Sequence, residues 1–173
     1  DHLNNTFRQV HIYNALGWET PQFGHLPLIK GLSKRLGSAS VQDYEARGFL
    51  PEAILNYIAR LGWAHGDDEI FSRTALIEKF DLDGVARSPA NFDEKKLTWL
   101  NEHYIKESPD HLLAGQLLPF LHEAGYEQAQ TDERLLHLVG VLKPRSSNLV
   151  DMAGAAGFVY QRPVEYGEKA VKK

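Results

Sequence analysis

Apolar residues recur along most of this chain at spacings of three and four, the period of a helix with one buried face. Between residues 4 and 16, Phe7, Val10, Ile12, Tyr13 and Leu16 keep that spacing, Asn4, Asn5 or Thr6 can cap the start, and Gly17 ends the run. The turn "GWETP" leads to "QFGHLPLIK", whose Pro27 a helix interior excludes, so this stretch reads as a strand ending at Lys30. From residue 40 helices follow almost without exception. "SVQDYEARG" starts at the cap Ser40 and stops at Gly48; "LPEAILNYIARLGW" has Pro51 in its first turn and an apolar face of Ile54, Leu55, Tyr57, Ile58 and Leu61. "SRTALIEKF" is a shorter helix capped by Ser72, and "DLDGVARSPAN" reads as a connecting loop.

The second half continues the pattern. "FDEKKLTWLNEHYI" puts Leu97, Leu100, Tyr104 and Ile105 on one face, and Ser108 with Pro109 ends it at a candidate domain boundary. "PDHLLAGQLL" is expected to break at Pro119 before "FLHEAG". "TDERLLHLVGVLK" is expected to be capped by Thr131 and to bury Leu135, Leu136, Leu138, Val139 and Leu142. A last helix should restart after Pro144 with Ser146 or Ser147 as cap. No period of constant length repeats, which disfavours a helical solenoid. The expected fold is therefore mainly α, opened by a helix, a strand and a glycine-bounded loop that form the end of an α/β unit whose partner strands lie elsewhere.

Composition narrows the function classes. With 173 residues, 43% of them hydrophobic, the chain can bury a real core. It has no run of apolar residues long enough to span a bilayer, so no membrane role is expected. With no cysteine, disulfides and thiolate chemistry are excluded, and the cytoplasm is the default compartment. A net charge of −4 provides no global attraction for polyanions, so any nucleic acid must be held by local cations. The eight histidines form no compact ligand spacing, and "HGDDE" from His65 to Glu69 reads as a turn and helix cap rather than a metal site. The start at Asp1 and an end in mid-pattern suggest a part of something longer.

Chemistry concentrates in "LIKGLSKRLGSAS". Gly31 and Gly37 bound a loop that carries Ser33, Lys34 and Arg35. Glycines let backbone approach an anion, Ser33 offers a hydroxyl, and Lys34 is a compact movable charge suited to a phosphate being transferred. It is not a Walker loop, because GxxxxGK[ST] is absent. From the residues alone, a solvated loop and a phosphate-binding loop both stay open.

The motif "GLSKR" is similar to the KMSKS loop of class I aminoacyl-tRNA synthetases, in the "LSKR" form of glutamyl-tRNA synthetases. Its flanks extend the likeness. "DHLNNTFRQVHIYNALGW" resembles the segment closing the catalytic domain of the bacterial enzymes, "HLPLI" the strand before the loop, and "GFLPEAILNYIARLGWAHGDDEIF" and "FDEKKLTWLNEHYI" the helical region after it. The likeness loosens beyond about residue 125.

This resemblance implies that residues 1–37 end a Rossmann-type catalytic domain, residues 38–107 form a helical stem-contact region, and residues 108–173 begin a helical anticodon-binding domain. It implies a glutamate-tRNA ligase that uses ATP, with Mg2+ accompanying it, to charge tRNA-Glu with glutamate, in a parent enzyme expected to be a monomer. This chain alone should be inactive. The other functions to weigh are an enzyme charging both tRNA-Glu and tRNA-Gln, and a non-catalytic helical interaction module that retains the loop.

By the same resemblance, Lys34 matches the lysine that meets the ATP phosphates as pyrophosphate departs, with Ser33 and Arg35 shaping its loop. Leu28 and Ile29 match positions whose backbone meets the adenine, and Asp1 and His2 match the rim of the glutamate and ATP pocket. Arg145, in "LKPRSS", matches an arginine near the first anticodon base; a solvated arginine beside Pro144 is the plainer alternative. Arg47, Arg60, Lys95 and Lys96 could touch the tRNA backbone, while Trp18, Trp63 and Trp99 read as core. The chain departs from the family at one place. Relatives have a lysine just before "LSKR" and a longer hairpin, whereas only Lys30 and Gly31 stand here; either the loop is truly shortened, which would put the reach of Lys34 to phosphate in doubt, or, the favoured expectation, the natural loop is longer than this sequence.

Overall fold

The computed structural model describes residues 2–31 and 40–162. Asp1, Ser33, Lys34 and Arg35 therefore lie outside the described residues, as does everything from residue 163 onward. The chain is mainly helical with a single two-stranded sheet among the described residues, as the apolar periodicity predicts. It divides into two compact units, Asp1–Gly37 with Leu55–Asp93, and Ser38–Ile54 with Glu94–Lys173.

In the first unit, α1 (Leu3–Ala15) starts one residue earlier than the pattern suggests. The carbonyl of His2 accepts the N–H groups of Asn5 (2.9 Å) and Thr6 (3.2 Å), so Asn4, Asn5 and Thr6 lie inside the helix rather than capping it. No residue of α1 is buried, although Phe7, Ile12 and Leu16 give it the expected apolar positions. The strand β1 is only Ile29–Lys30. Pro27 has no N–H to give to a ladder, and the partner strand β2 (Ala90–Asn91) is itself two residues long. The two run parallel, Ile29 opposite Ala90 and Lys30 opposite Asn91. β2 falls in the stretch expected to be loop, because two residues are too few to show a period of two.

Two further helices complete this unit. Most of α3 (Pro51–Gly62) belongs to it, as does α4 (Arg73–Lys79), where the Ser72 hydroxyl accepts the Ala75 N–H at 3.1 Å as predicted. Trp63, Phe71 and Leu76 form the core here. Gly84 makes that core possible: a Cβ on it would lie 2.5 Å from the Ala64 carbonyl oxygen and from Trp63 Nε1. Asn56, fully buried, ties the chain ahead of α4 to α3 by accepting from the Phe71 N–H and donating to the Glu69 carbonyl.

The second unit starts with α2 (Val41–Ala46), closed at its head by a reciprocal cap in which Ser40 and Asp43 each bond the other's backbone N–H. It continues through α5 (Glu94–Glu107), α6 (Asp110–Glu123), α7 (Leu135–Leu142), α8 (Leu149–Ala155) and α9 (Gly157–Tyr160). The core is an apolar cluster that includes Leu113, Leu117, Leu121, Val139 and Met152, each at most 0% exposed.

Several local expectations are corrected in this unit. α6 runs straight through Pro119. The residue is exposed, as is Gly115 four positions earlier, so water can take the carbonyl that proline leaves unbonded, while Leu113, Leu117 and Leu121 hold the opposite face in the core. Thr131 ends a 3-10 turn (Glu127–Thr131) instead of capping α7, and Leu136 faces solvent. Asn148 caps α8 by accepting the Asp151 N–H at 2.7 Å; Ser146 is buried and donates back to the Leu142 carbonyl at 3.0 Å. Of the tryptophans, Trp63 is core but Trp18 and Trp99 are exposed, the first beside Tyr13 and the second on the outer side of α5.

Candidate functional site

The residues at the end of β1 are the best-built part of the predicted site. Leu28 is half exposed and Ile29 is partly covered, so the strand end is open on one side. Beyond the ladder, the Phe92 N–H donates to the Lys30 carbonyl at 2.8 Å. Gly31 then turns the chain at φ +90°, where a Cβ would sit 3.4 Å from both the Cβ and the carbonyl oxygen of Phe92. Glycine is suited to this turn because an L side chain there is strained.

Phe92 is itself held in place. Its ring meets the Tyr57 ring edge to face at 5.2 Å. The Tyr57 hydroxyl donates to the Asp93 carbonyl at 2.9 Å and accepts the Asp93 N–H at 2.6 Å, so one buried hydroxyl fixes both polar groups of the residue after Phe92. Periodicity marks Tyr57 only as an apolar-face residue. The signal that could have singled it out is chemical, since a buried tyrosine hydroxyl needs a partner.

His2 is exposed at the head of α1, where its Nδ1 lies 3.0 Å from the Asn5 side-chain amide. The Thr6 hydroxyl, one turn on, lies 3.2 Å from Nε2 of His25, linking α1 to the segment that runs into β1. Among the described residues no three His, Cys, Asp or Glu side chains gather as metal ligands. In "HGDDE", Gly66 makes a left-handed turn at φ +54° and Asp68 pairs with Lys79 at 2.8 Å, which holds its carboxyl below the usual range.

In the second unit the structure sorts the cations. Arg145 is exposed at the end of a 3-10 turn, Lys143–Arg145, and makes no ion pair or hydrogen bond with another described residue. Lys143, two residues earlier, is tied to Asp110 at 2.6 Å and to the Ser108 carbonyl at 3.2 Å. Arg47 stacks over Tyr44 and Phe49 at 5.1 and 5.2 Å and pairs with Glu94. Burial and the Glu94 carboxylate together push the Tyr44 hydroxyl up. Arg47 is thus a structural cation first. Lys95 and Lys96 are on the exposed side of α5, and Arg60, in the first unit, is half buried.

Comparison with known proteins matches residues 1–99 to the family described as tRNA synthetases class I (E and Q), catalytic domain, and residues 112–173 to an anticodon binding domain. The chain is 49% identical over 178 residues to a glutamate-tRNA ligase of Geobacter sulfurreducens, covering 100% of this chain and 38% of that protein. It is 49% identical over 166 residues to the enzyme of Nitrosomonas europaea, covering 93% of this chain and 36% of the other. The crystal structure of a glutamate tRNA ligase from Elizabethkingia meningosepticum in complex with its amino acid superposes with a TM-score of 0.76 at 31% identity, over 99% of this chain and 38% of that one. The chain thus spans about two fifths of the length of the relatives it matches. No described helix is long and apolar enough to cross a membrane.

Proposed function

Because the chain belongs to the class I tRNA synthetases of the glutamate and glutamine type, we propose that it is part of an enzyme that activates glutamate with ATP and passes it to tRNA-Glu. The observation that carries this reading is the 49% identity along the whole chain to a glutamate-tRNA ligase. In the first step a glutamate carboxylate oxygen attacks the α-phosphorus of ATP, and pyrophosphate leaves. In the second a ribose hydroxyl of the terminal adenosine attacks the carbonyl of glutamyl-adenylate, and AMP leaves. Mg2+ arrives as part of the MgATP substrate.

Under this reading residues 1–37 close the catalytic domain, 38–107 contact the tRNA stem, and 108–173 begin the anticodon-binding domain. Lys34, in the "LSKR" motif, stabilises the charge that builds on departing pyrophosphate, a contact stronger in the transition state than in the ground state. Ser33 and Arg35 support its loop. Leu28 and Ile29 offer the adenine an open strand end, where a backbone edge serves and no particular side chain is needed; Asp1 and His2 lie at the pocket rim. Arg145 meets an anticodon base, its planar fork being suited to a base edge. The enzyme works in the cytoplasm as a monomer.

The test is glutamate-dependent exchange of pyrophosphate into ATP, with tRNA-Glu present, by the full-length protein that carries this sequence. Lys34→Ala should lower the exchange rate about a hundredfold, the loss of roughly 3 kcal/mol of transition-state stabilisation, while tRNA binding holds. Absence of glutamate-dependent exchange in the unsubstituted protein would sink the proposal.

A further inference from the structure

We propose that Tyr57 is a positioning residue for ATP, which it serves through the backbone of Asp93 and Phe92 by fixing where β1 ends. The inference rests on the ATP reading of that strand end and names a residue that the motif does not mark and the periodicity marks only as an apolar-face position.

The ladder between β1 and β2 is two residues long, so it fixes the direction of Ile29 and Lys30 only weakly. Its extension is the Phe92 N–H on the Lys30 carbonyl. Phe92 reaches that carbonyl only while the chain after β2 is held, and Tyr57 holds it by two hydrogen bonds to Asp93 and an edge-on ring contact with Phe92. Tyr57 is 3% exposed and sits in α3, a helix of twelve residues, which gives the clamp a rigid base. On the other side, a Cβ on Gly31 would sit 3.4 Å from Phe92, so the turn out of β1 lies against the same residue. A strand end that takes adenine through its backbone has no side chain with which to correct a misplacement. A shift on the order of 1 Å at such a contact is enough to cost a large factor in productive binding.

A merely structural tyrosine would affect every kinetic constant alike, or only the thermal midpoint; a positioning tyrosine acts on ATP. The experiment measures KM for ATP, KM for glutamate and kcat of pyrophosphate exchange in the full-length protein, at saturating tRNA-Glu, for Tyr57→Phe and for Gly31→Ala. Ser72→Ala is the control, since it removes a helix cap from the same unit without touching β1. The expected result is a rise of about tenfold in KM for ATP in both variants, with KM for glutamate within about twofold and Ser72→Ala unchanged. An unchanged KM for ATP in Tyr57→Phe, a parallel rise for glutamate, or an equal rise in Ser72→Ala would each overturn the inference. Failure of the unsubstituted protein to exchange at all would instead overturn the synthetase reading, and the inference with it.

Discussion

Asn101 and Leu50, 51 positions apart in sequence, are joined by a buried hydrogen bond in which the Asn101 carbonyl oxygen accepts the Leu50 N–H at 2.8 Å. The same amide donates to the Ser147 carbonyl at 2.7 Å, so one side chain with no exposed surface satisfies the backbone of two distant segments. Removing it strands a buried donor and an acceptor, each of which costs about 1–3 kcal/mol when left unmade. Asn101→Ala is therefore expected to lower unfolding free energy by roughly 3 kcal/mol, read by urea denaturation, and to speed hydrogen exchange at the Leu50 amide. A loss below about 0.5 kcal/mol, the ordinary surface range, would show that water or a shifted neighbour replaces the amide.

Gly48 is the second structural prediction. Its φ is +78°, and an added Cβ would lie 2.6 Å from the Leu149 nitrogen and 2.7 Å from that of Val150. Both are backbone atoms at the head of α8, and the Leu149 N–H donates to the Gly48 carbonyl at 2.9 Å, so neither side can move away cheaply. Left-handed strain alone is worth about 1–2 kcal/mol, and the clash adds to it. Gly48→Ala should cost more than that strain in thermal or chemical unfolding, whereas Gly115→Ala, which meets open space inside α6, should be neutral or stabilising. Equal effects would refute the close-approach explanation.

Asp132 and Arg134 predict a pH dependence. The Arg134 side chain donates to both carboxylate oxygens of Asp132, at 3.0 and 2.8 Å, and its backbone N–H adds a third bond at 2.9 Å. These bonds hold the Asp132 carboxyl below the usual aspartate range, the side-chain contact first. A carboxyl depressed in the folded state stabilises the fold above its unfolded value of roughly 3.9. That contribution is lost as pH falls through the lower folded value. Arg134→Ala should raise the Asp132 titration midpoint by NMR, but only part of the way, because the backbone donor remains. A midpoint that stays put would show that the side-chain pair is not formed in solution.

How much of this was legible beforehand follows from what each feature depends on. α4 and α2 were readable to their caps because Ser72 and Ser40 act on N–H groups three residues away. The sequence pattern puts the end of the strand before "LSKR" at Lys30 but makes the strand too long, since its length is set by β2, sixty residues later and invisible to any local period. Pro119 misled for the same reason. A local rule ends the helix there, and burial of Leu113, Leu117 and Leu121 against distant residues carries it on. The clamp on β1 depends on a hydroxyl whose partner is 36 positions away. Sequence could mark Tyr57 as buried but not say what its oxygen meets.

Arg145 gives the last prediction, and Lys143 is its internal contrast. Both are cations in one 3-10 turn, yet Lys143 is bound to Asp110 and the Ser108 carbonyl while Arg145 has no partner among the described residues. If Arg145 reads an anticodon base, Arg145→Ala should reduce kcat/KM for charging tRNA-Glu by about 10- to 100-fold, the equivalent of roughly 1–3 kcal/mol for a good side-chain-to-base contact. The thermal midpoint should be unchanged. Arg145→Lys should recover only part of the loss, because an ammonium keeps the charge without the planar fork. Lys143→Ala should instead lower stability and leave charging near the parent value at permissive temperature. Charging by Arg145→Ala within twofold of the parent would assign that arginine to solvent, and a lowered thermal midpoint would place its effect on folding rather than on tRNA.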